Sequence, residues 1–291
     1  MSHSFKQVIS ASRRTDIPAF YMDWFMAGIR RGFFEVINPY NGKKRLVPSG
    51  QDEVHTIVFW SKNFGPFLNG AYGDTLESLG YNLFFNFTVN SEDRLLEPNI
   101  PPLGERLVQL DMLCSRFGPE RVQWRFDPIC FYREGRGRKK NNMHDFSKIA
   151  ESAADGGVSR CVTSFMDVYP KVLRRAKAAG NVSFVTPGLG EQADIVRQMA
   201  GELRGYGISL YLCCEKELLE SLPPGLGVLP GSCIPNDLFM HLDGGSLSLR
   251  YDPGQRRALG CGCRVSVDVG SYSLHPCFHN CLFCYANPAC G

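Results

Sequence analysis

The sequence lacks the features that would place the chain in or across a membrane. No apolar run approaches the roughly 18 residues that a transmembrane helix needs. Residues 1–6 contain no apolar segment of the kind that forms the centre of a secretory signal. We therefore expect a cytoplasmic protein with no membrane partner.

The chain also has little net charge and no dinucleotide-binding glycine motif. Its formal charge is only +3 over 291 residues, which by itself does not indicate nucleic acid as a partner. The pattern Gly-x-Gly-x-x-Gly follows no predicted strand, which disfavours a dinucleotide-binding fold. The composition, with 44% apolar and 21% charged residues, is ordinary for a globular protein with a sizeable core.

Apolar strands alternate with amphipathic helices through the first 220 residues. The predicted strands are 7–12, 56–60, 81–89, 122–126, 160–165, 182–185 and 208–213. The predicted helices run from the cap Asp16 to Gly32 and through 103–114, 146–153, 172–176 and 195–203, and a turn is expected at 38–42. This alternation predicts an α/β protein with right-handed βαβ units and a parallel sheet. We expect a complete or partial (β/α) barrel, with a doubly wound sheet as the alternative.

The alternation stops after residue 220. Pro-Pro-Gly, Gly-Gly and Gly-Cys-Gly stretches interrupt the rest of the chain, and only 247–251 and 265–269 have the character of strands. We therefore predict a barrel-like domain over 1–220. Residues 221–291 are predicted to form an irregular, cysteine-rich extension packed against it.

Cysteine is abundant and unevenly placed. Of the twelve cysteines, six fall within residues 261–291. Because no secretory segment is evident, metal binding in a reducing compartment is favoured over a disulfide framework. The scattered Cys114, Cys130 and Cys161 are expected to be core residues.

The densest cysteine group is the triplet Cys277-x3-Cys281-x2-Cys284. A 4Fe–4S cluster takes four ligands, so three thiolates on one loop leave one iron open to an exogenous ligand. Zinc is the alternative metal, and its closed tetrahedron would take a fourth ligand from His275, His279 or Cys290. Iron–sulfur is favoured because no second cysteine pair with zinc-knuckle spacing lies nearby.

A second cysteine group precedes the triplet. Cys214, Cys233, Cys261 and Cys263 would supply the four thiolates of a closed auxiliary iron–sulfur cluster. The alternative is that Cys213 and Cys214 are small buried apolar residues at a strand end.

Polar residues follow many of the predicted strands. In barrels, chemistry takes place at the carboxyl ends of the strands. The candidates there are Lys62, Arg125 and Asp127 as catalytic residues, and Arg13, Arg14, Asp16, Asn63, Ser164, Asp167 and Glu215 as cofactor-binding residues. Arg13 or Arg14 could hold a carboxylate through a bidentate fork. Taken singly, each candidate could instead be a structural cap or an ion-pair partner.

Residues 133–140 form a basic loop, Arg-Glu-Gly-Arg-Gly-Arg-Lys-Lys. A solvated loop is the favoured interpretation. A loop that contacts phosphate or nucleic acid is possible but not favoured.

Taken whole, the chain resembles a bacterial family of unknown function whose C-terminal cysteines are likened to the cluster loop of the radical S-adenosylmethionine (radical SAM) enzymes. The resemblance rests on 10–19, 57–63, 124–128, 261–263 and 277–287. The triplet has the spacing of those enzymes, and Tyr285 follows it as an aromatic residue does in the spore-photoproduct-lyase-like branch. The resemblance implies a 4Fe–4S cluster, S-adenosylmethionine at its open iron with Tyr285 beside it, and an external electron donor. It also implies a 5′-deoxyadenosyl radical that abstracts hydrogen from a small-molecule or other substrate that the sequence does not identify.

The chain departs from ordinary radical SAM enzymes in two ways. Their cysteine loop follows the first barrel strand, whereas here it is close to the last residue, and no Gly-Gly-Glu stretch follows a later strand. A circular permutation would account for the first departure, with 265–269 as the strand before the loop and the N-terminal segment continuing the barrel. The alternatives are a non-enzymatic iron–sulfur or zinc protein with a structural or redox-sensing metal, and a nucleic-acid-binding module.

Overall fold

The computed structural model describes residues 5–37, 42–180 and 182–286, which contain thirteen strands and ten α-helices. The strands are β1 (Gln7–Ala11), β2 (Phe33–Ile37), β3 (Lys44–Pro48), β4 (Val54–Ser61), β5 (Asn82–Thr88), β6 (Val122–Ile129), β7 (Phe131–Glu134), β8 (Lys140–Asn141), β9 (Arg160–Phe165), β10 (Val182–Phe184), β11 (Ser209–Leu212), β12 (Leu229–Pro230) and β13 (Val267–Asp268). The helices are α1 (Ile17–Phe20), α2 (Met22–Arg31), α3 (Gly65–Asn69), α4 (Tyr72–Ser78), α5 (Leu103–Phe117), α6 (Phe146–Asp155), α7 (Pro170–Ala178), α8 (Leu189–Gly205), α9 (Lys216–Ser221) and α10 (Asn236–Asp243). Within these ranges, no helix is long and apolar enough to cross a membrane.

Eight of the strands form one parallel sheet. Their order is β12–β11–β9–β6–β5–β4–β1–β13, and every neighbouring pair runs parallel. The order never reverses direction, unlike that of a doubly wound sheet. The last strand of the chain, β13, pairs with the first, β1.

The two edge strands, β12 and β13, do not pair, so the described residues form no closed barrel. The segments next to these edges are nevertheless linked through their backbones. The Gly262 amide donates to the Gly231 carbonyl at 3.1 Å, and the Arg264 amide donates to the Ile234 carbonyl at 3.0 Å. Residues after 220 thus contribute both edges of the sheet and the contacts between them.

Side chains alternate between the two faces of the sheet, as the pleat of a strand requires. One face packs on α2, α5, α6 and α8 and carries most of the apolar core, with Phe59, Phe85 and Trp124 among its fully buried residues. On the other face, Val58 and Phe84 pack with three buried cysteines, Cys233, Cys261 and Cys263. We call the second face the cysteine face.

Helix α10 covers the amino end of the cysteine face. The ring of Phe239 lies 4.9 Å from that of Phe84, near the start of β5. Asp243 pairs with Arg121, which directly precedes β6, and His55 Nε2 lies 2.8 Å from the Gly244 carbonyl. With the amino end occupied in this way, the polar side chains of the sheet gather at its carboxyl end.

The predicted cap at Asp16 is confirmed. Its carboxylate accepts from the Ala19 amide at 3.0 Å, and Pro18 lies in the first turn of the helix. The single helix predicted from here to Gly32 is, however, two helices, because Tyr21 has φ −135° and interrupts the helical backbone. Gly32 ends α2 in the left-handed conformation, with φ 79°.

Two further predictions differ from the structure. Strand 182–185 exists as β10, but it pairs antiparallel with β7 in a separate three-stranded sheet. Residues 247–251 form no strand in the described structure and make only the isolated bridge from Tyr251 to Arg264. The antiparallel hairpin β2–β3 and helix α10 were not predicted. Residues 38–41 of the predicted turn lie outside the described residues.

Candidate functional site

The cysteine triplet lies on the loop that follows β13 at the carboxyl end of the sheet. Cys281 is buried, and Cys277 and Cys284 are partly buried. The Cys284 amide donates to the Cys281 carbonyl at 3.1 Å, which turns the loop back on itself. The structure thus places the three cysteines on one short, folded loop, with Cys281 the most deeply buried of them.

A buried contact between His279 and Asp16 attaches this loop to the start of the first helix. His279, inside the triplet, has its Nε2 2.8 Å from Asp16 Oδ2, and both side chains are buried. The same carboxylate accepts from Ser61 Oγ at 2.7 Å and from the Lys62 amide at 2.9 Å. Asp16 therefore joins α1, the end of β4 and the cysteine loop at one point.

Backbone contacts hold the rest of the loop. The Tyr21 hydroxyl donates to the Pro276 carbonyl at 2.6 Å, and the Leu282 amide donates to the Leu96 carbonyl at 2.8 Å. The Arg175 guanidinium donates to the carbonyl of Cys284. The loop is thus fixed from three sides before any metal is bound.

Removing the carboxylate at the junction is expected to destabilise the fold. Asp16→Ala deletes a helix cap and leaves buried donors on Ser61, Lys62 and His279 without their acceptor, so we expect the free energy of unfolding to fall by about 3 kcal/mol. Asp16→Asn keeps an acceptor at the same place and should lose less than half of that. Urea denaturation of the metal-free protein measures both, and a loss below about 1 kcal/mol for Asp16→Ala would contradict this role.

An acidic–basic pair lies directly beside Cys281. Lys62 Nζ is 2.5 Å from Glu97 Oε1, and the Cys281 sulfur is 3.9 Å from the same oxygen. The Lys62 ammonium also lies 5.4 Å from the centre of the Phe283 ring. Lys62, predicted to be catalytic, therefore lies beside the cysteine loop, with Glu97 between it and Cys281.

Burial governs the protonation of the triplet. It raises the pKa of Cys277 to about 12, with a further contribution from Asp16. It also raises the pKa of Cys281 and Cys284, against the opposing effect of the positive charge on Lys62. Without metal, these thiols are neutral at physiological pH, and metal binding would have to displace their protons.

The second cysteine group contains five thiols rather than four. Cys213 and Cys214 follow β11, with their sulfur atoms 3.8 Å apart. Cys233 follows β12, and its amide lies 3.4 Å from the sulfur of Cys263. The thiol of Cys261 interacts with those of Cys213, Cys214 and Cys263. The structure thus brings the four predicted ligands together and adds Cys213, which the prediction had left out.

The predicted catalytic residues Arg125 and Asp127, on β6, are connected to the second cysteine group. Arg125 donates to the sulfur of Cys233 and to the carboxylate of Asp127. Ser164 Oγ donates to the other Asp127 oxygen at 2.5 Å. The guanidinium of Arg125 also lies 5.2 Å from the Trp60 ring centre. These side chains form a connected polar network on the cysteine face.

Arg13, which follows β1, lies next to the same network. Its guanidinium lies 5.3 Å from the Trp60 ring centre. The Trp60 ring is therefore close to the guanidinium groups of both Arg13 and Arg125. Arg13 Nη1 donates to Ser266 Oγ at 3.2 Å and is 3.9 Å from Asp252. Its buried Nη2 has no hydrogen-bond partner among the described residues. That nitrogen is a donor available to a ligand.

Three predicted cofactor-binding residues have structural partners instead of facing the triplet. Asn63 Oδ1 accepts from the Gly65 amide and from Gln109, each at 3.0 Å, at the start of α3. Arg14 donates to the Gly270 carbonyl at 3.0 Å, and Asp167 pairs with Arg256.

The last two candidates, Glu215 and Tyr285, lie near the two cysteine groups. Glu215 follows Cys214 and accepts from the Phe165 amide at 2.8 Å, and burial raises the pKa of Glu215 to about 7. Tyr285 follows Cys284, is 49% exposed, and donates to the Arg13 carbonyl at 3.3 Å.

The histidines considered as zinc ligands make other contacts. His279 is paired with Asp16, and His275 packs 4.1 Å from the Trp24 ring while its Nδ1 accepts from the Ser271 amide at 3.2 Å. Cys290 lies outside the described residues. Within the described ranges, no three His, Cys, Asp or Glu side chains are grouped as ligands of a single metal ion.

The basic loop connects β7 to β8 at the surface. Two of its cations lie beside carboxylates: Lys139 is 2.5 Å from Glu191, and Lys140 is 2.6 Å from Glu134. The loop therefore presents mixed charge.

Sequence reasoning missed several residues of the site. Asp268 accepts from Ser10, Ser12 and the Arg13 amide at 2.7–3.0 Å and holds β13 against β1. Glu97 lies in an irregular segment, where no periodic pattern marks it. Cys213 had a usable signal, because it is the last residue of the predicted strand 208–213, in which a period of two places it on the same face as Tyr211.

These features define a parallel α/β protein whose cysteines and charged side chains gather at the carboxyl end of its sheet. The chain belongs to the family described as a domain of unknown function (DUF1848), whose model matches residues 8–286. This confirms the family predicted from the sequence motifs. No curated protein matches the chain.

Several solved structures are similar to the chain. One is a D-hydantoinase, at 14% identity and a TM-score of 0.36, which covers 82% of this chain and 48% of that one. A second is the D-hydantoinase of Bacillus sp. AR9, at 15% identity and a TM-score of 0.33, with 63% and 40% covered. A putative dihydrodipicolinate synthetase from Pseudomonas aeruginosa has 16% identity and a TM-score of 0.29, with 83% and 74% covered. The chain spans less than half the length of the two hydantoinases.

Proposed function

We propose that the protein is an iron–sulfur enzyme of the radical SAM type, built on a partial, circularly permuted (β/α) barrel. Cys277, Cys281 and Cys284 would hold a 4Fe–4S cluster, and S-adenosylmethionine would complete its coordination. When bound, the reduced cluster supplies the electron that cleaves the cofactor.

The pairing of β13 with β1 is the observation that carries this proposal. If β13 is taken as the first strand of the sheet, the strand order runs without interruption from β13 through β1 to β12. The cysteine loop then follows the first strand, which is its place in the radical SAM enzymes that the sequence resembles. The pairing of β1 with β13 supports the permutation proposed from the sequence.

The chemistry of the donors supports a cluster at the triplet. Three thiols of one loop are at least partly buried at the carboxyl end of the sheet. Burial raises the pKa of Cys284, and the positive charges of Arg175 and Lys62 oppose that rise and would favour thiolate ligands there. The loop is held by Asp16 and by backbone contacts, so its fold does not depend on the thiols alone.

The cysteine face offers groups to bind the cofactor and the substrate. The free Nη2 of Arg13 is a donor for a carboxylate. Asp127 and Ser164 supply a carboxylate and a hydroxyl for polar substrate groups, and Arg125 holds the carboxylate in place. The Trp60 ring lies beside both guanidinium groups.

Anaerobic cofactor cleavage tests the proposal. Purified protein would be reduced with dithionite in the presence of S-adenosylmethionine, and 5′-deoxyadenosine and methionine would be quantified by chromatography. We expect both products to form in equal amounts and only with reductant present. A protein that holds iron and sulfide but forms neither product would restrict the function to a structural or redox-sensing cluster.

A further inference from the structure

We propose that Cys213, Cys214, Cys233, Cys261 and Cys263 form a second iron–sulfur site on the cysteine face, separate from the triplet. It would hold a cluster with four cysteine ligands and leave one thiol of the five unligated. This inference is independent of the triplet, because the two groups share no residue and are reached from different strands.

The first support is the convergence of distant segments. The five cysteines come from three parts of the chain, after β11, after β12 and before β13. Tight backbone contacts bring these parts together: the Gly231 amide donates to the Leu212 carbonyl at 2.6 Å, and the Gly262 amide donates to the Gly231 carbonyl at 3.1 Å. A Cβ on Gly262 would lie 2.7 Å from the Gly231 carbonyl oxygen. Only glycine lets the backbone between Cys261 and Cys263 approach so closely.

The second support is the number and arrangement of the thiols. The Cys213 and Cys214 sulfur atoms are 3.8 Å apart, the Cys233 amide lies 3.4 Å from the Cys263 sulfur, and all five cysteines belong to or pack against one cluster on the cysteine face. Isolated buried cysteines act as small apolar residues, as Cys161 does in the core on the opposite face. Five cysteines gathered in one cluster supply more than the four thiolates that a 4Fe–4S cluster takes.

The charges around the group support a polynuclear cluster over a single zinc ion. Arg125 donates to the Cys233 sulfur, and the positive charge of Arg13 acts on Cys263 and Cys233. Two buried guanidinium groups are appropriate neighbours for a cluster that carries net negative charge, and hydrogen bonds to its sulfurs tune its potential.

The adjacent pair Cys213 and Cys214 can exchange roles. Their sulfur atoms are 3.8 Å apart, and both contact Cys261. With Cys233, Cys261 and Cys263 as three ligands, either member of the pair would supply the fourth.

The test is the iron and sulfide content of chains that lack the triplet. The variant Cys277→Ser/Cys281→Ser/Cys284→Ser, purified and reconstituted without oxygen, is expected to retain about four irons and four sulfides per chain. In this background, adding Cys233→Ser/Cys263→Ser should remove the iron, whereas adding Cys161→Ser, the matched control in the core, should not. Circular dichroism and thermal unfolding would verify that each variant is folded.

Several results would overturn the second site. These are a folded triplet variant without iron, iron that survives Cys233→Ser/Cys263→Ser, zinc in place of iron, or a thiol count showing disulfides among the five. The outcomes also separate the two proposals. Iron that is wholly retained in the triplet variant would refute the triplet cluster alone, and iron that is wholly lost would refute the second site alone.

Discussion

Cys281→Ser is expected to abolish S-adenosylmethionine cleavage. Cys281 is the most buried cysteine of the triplet, in contact with Glu97 and near Lys62. Without its thiolate, the loop has only two ligands, and the cluster with an open iron cannot be held in place. We therefore expect 5′-deoxyadenosine formation below detection, measured with the dithionite assay.

A matched control separates this loss from a general effect of removing a buried thiol. Cys161 is fully buried, but it lies on the helix-covered face of the sheet. Cys161→Ser should retain cleavage in proportion to its folded fraction. Cleavage that persists in Cys281→Ser at the wild-type rate would rule out the triplet as the cofactor site.

Lys62→Met is expected to cause a large loss of stability, because it breaks a buried ion pair. It leaves the Glu97 carboxylate, only 4% exposed, without its ion-pair partner. Breaking a buried pair in this way costs about 3–5 kcal/mol. The buried guanidinium of Arg106 acts on the same carboxylate, which places the expected loss at the lower end, about 3 kcal/mol.

Two further variants control this prediction. Lys62→Met/Glu97→Gln removes the unpaired charge and should recover more than half of the lost stability. Lys140→Met breaks the exposed pair with Glu134, and it should change the free energy of unfolding by less than about 1 kcal/mol. Urea denaturation of metal-free protein measures all three. A Lys62→Met protein as stable as Lys140→Met would show that Glu97 is protonated or solvated.

Local sequence patterns predicted most of the individual elements of the fold. Strand 160–165 has the same bounds as β9, because glycines end the helix before it and the apolar run itself is short. The cap at Asp16 and the stop at Gly32 were predicted from single residues, since each depends on local backbone geometry. The break at Tyr21 was not, because the apolar spacing continues through it.

Predictions that depended on distant partners were less complete. Strand 182–185 was identified as a strand, but its sheet depends on pairing with β7, about 50 residues earlier in the chain. The candidate site shows the same limit. The cysteines were found from their spacing, whereas Glu97 and Asp268 are defined by contacts 35 to 258 residues away in sequence. No local pattern carries that information.

The most direct measurement is the content of iron, sulfide and zinc per chain in the wild-type protein, purified without oxygen. The account predicts about eight irons and eight sulfides per chain, the content of two 4Fe–4S clusters, with zinc well below one per chain. Stoichiometric zinc without iron would contradict it, and the cysteines would then be ligands of a structural metal.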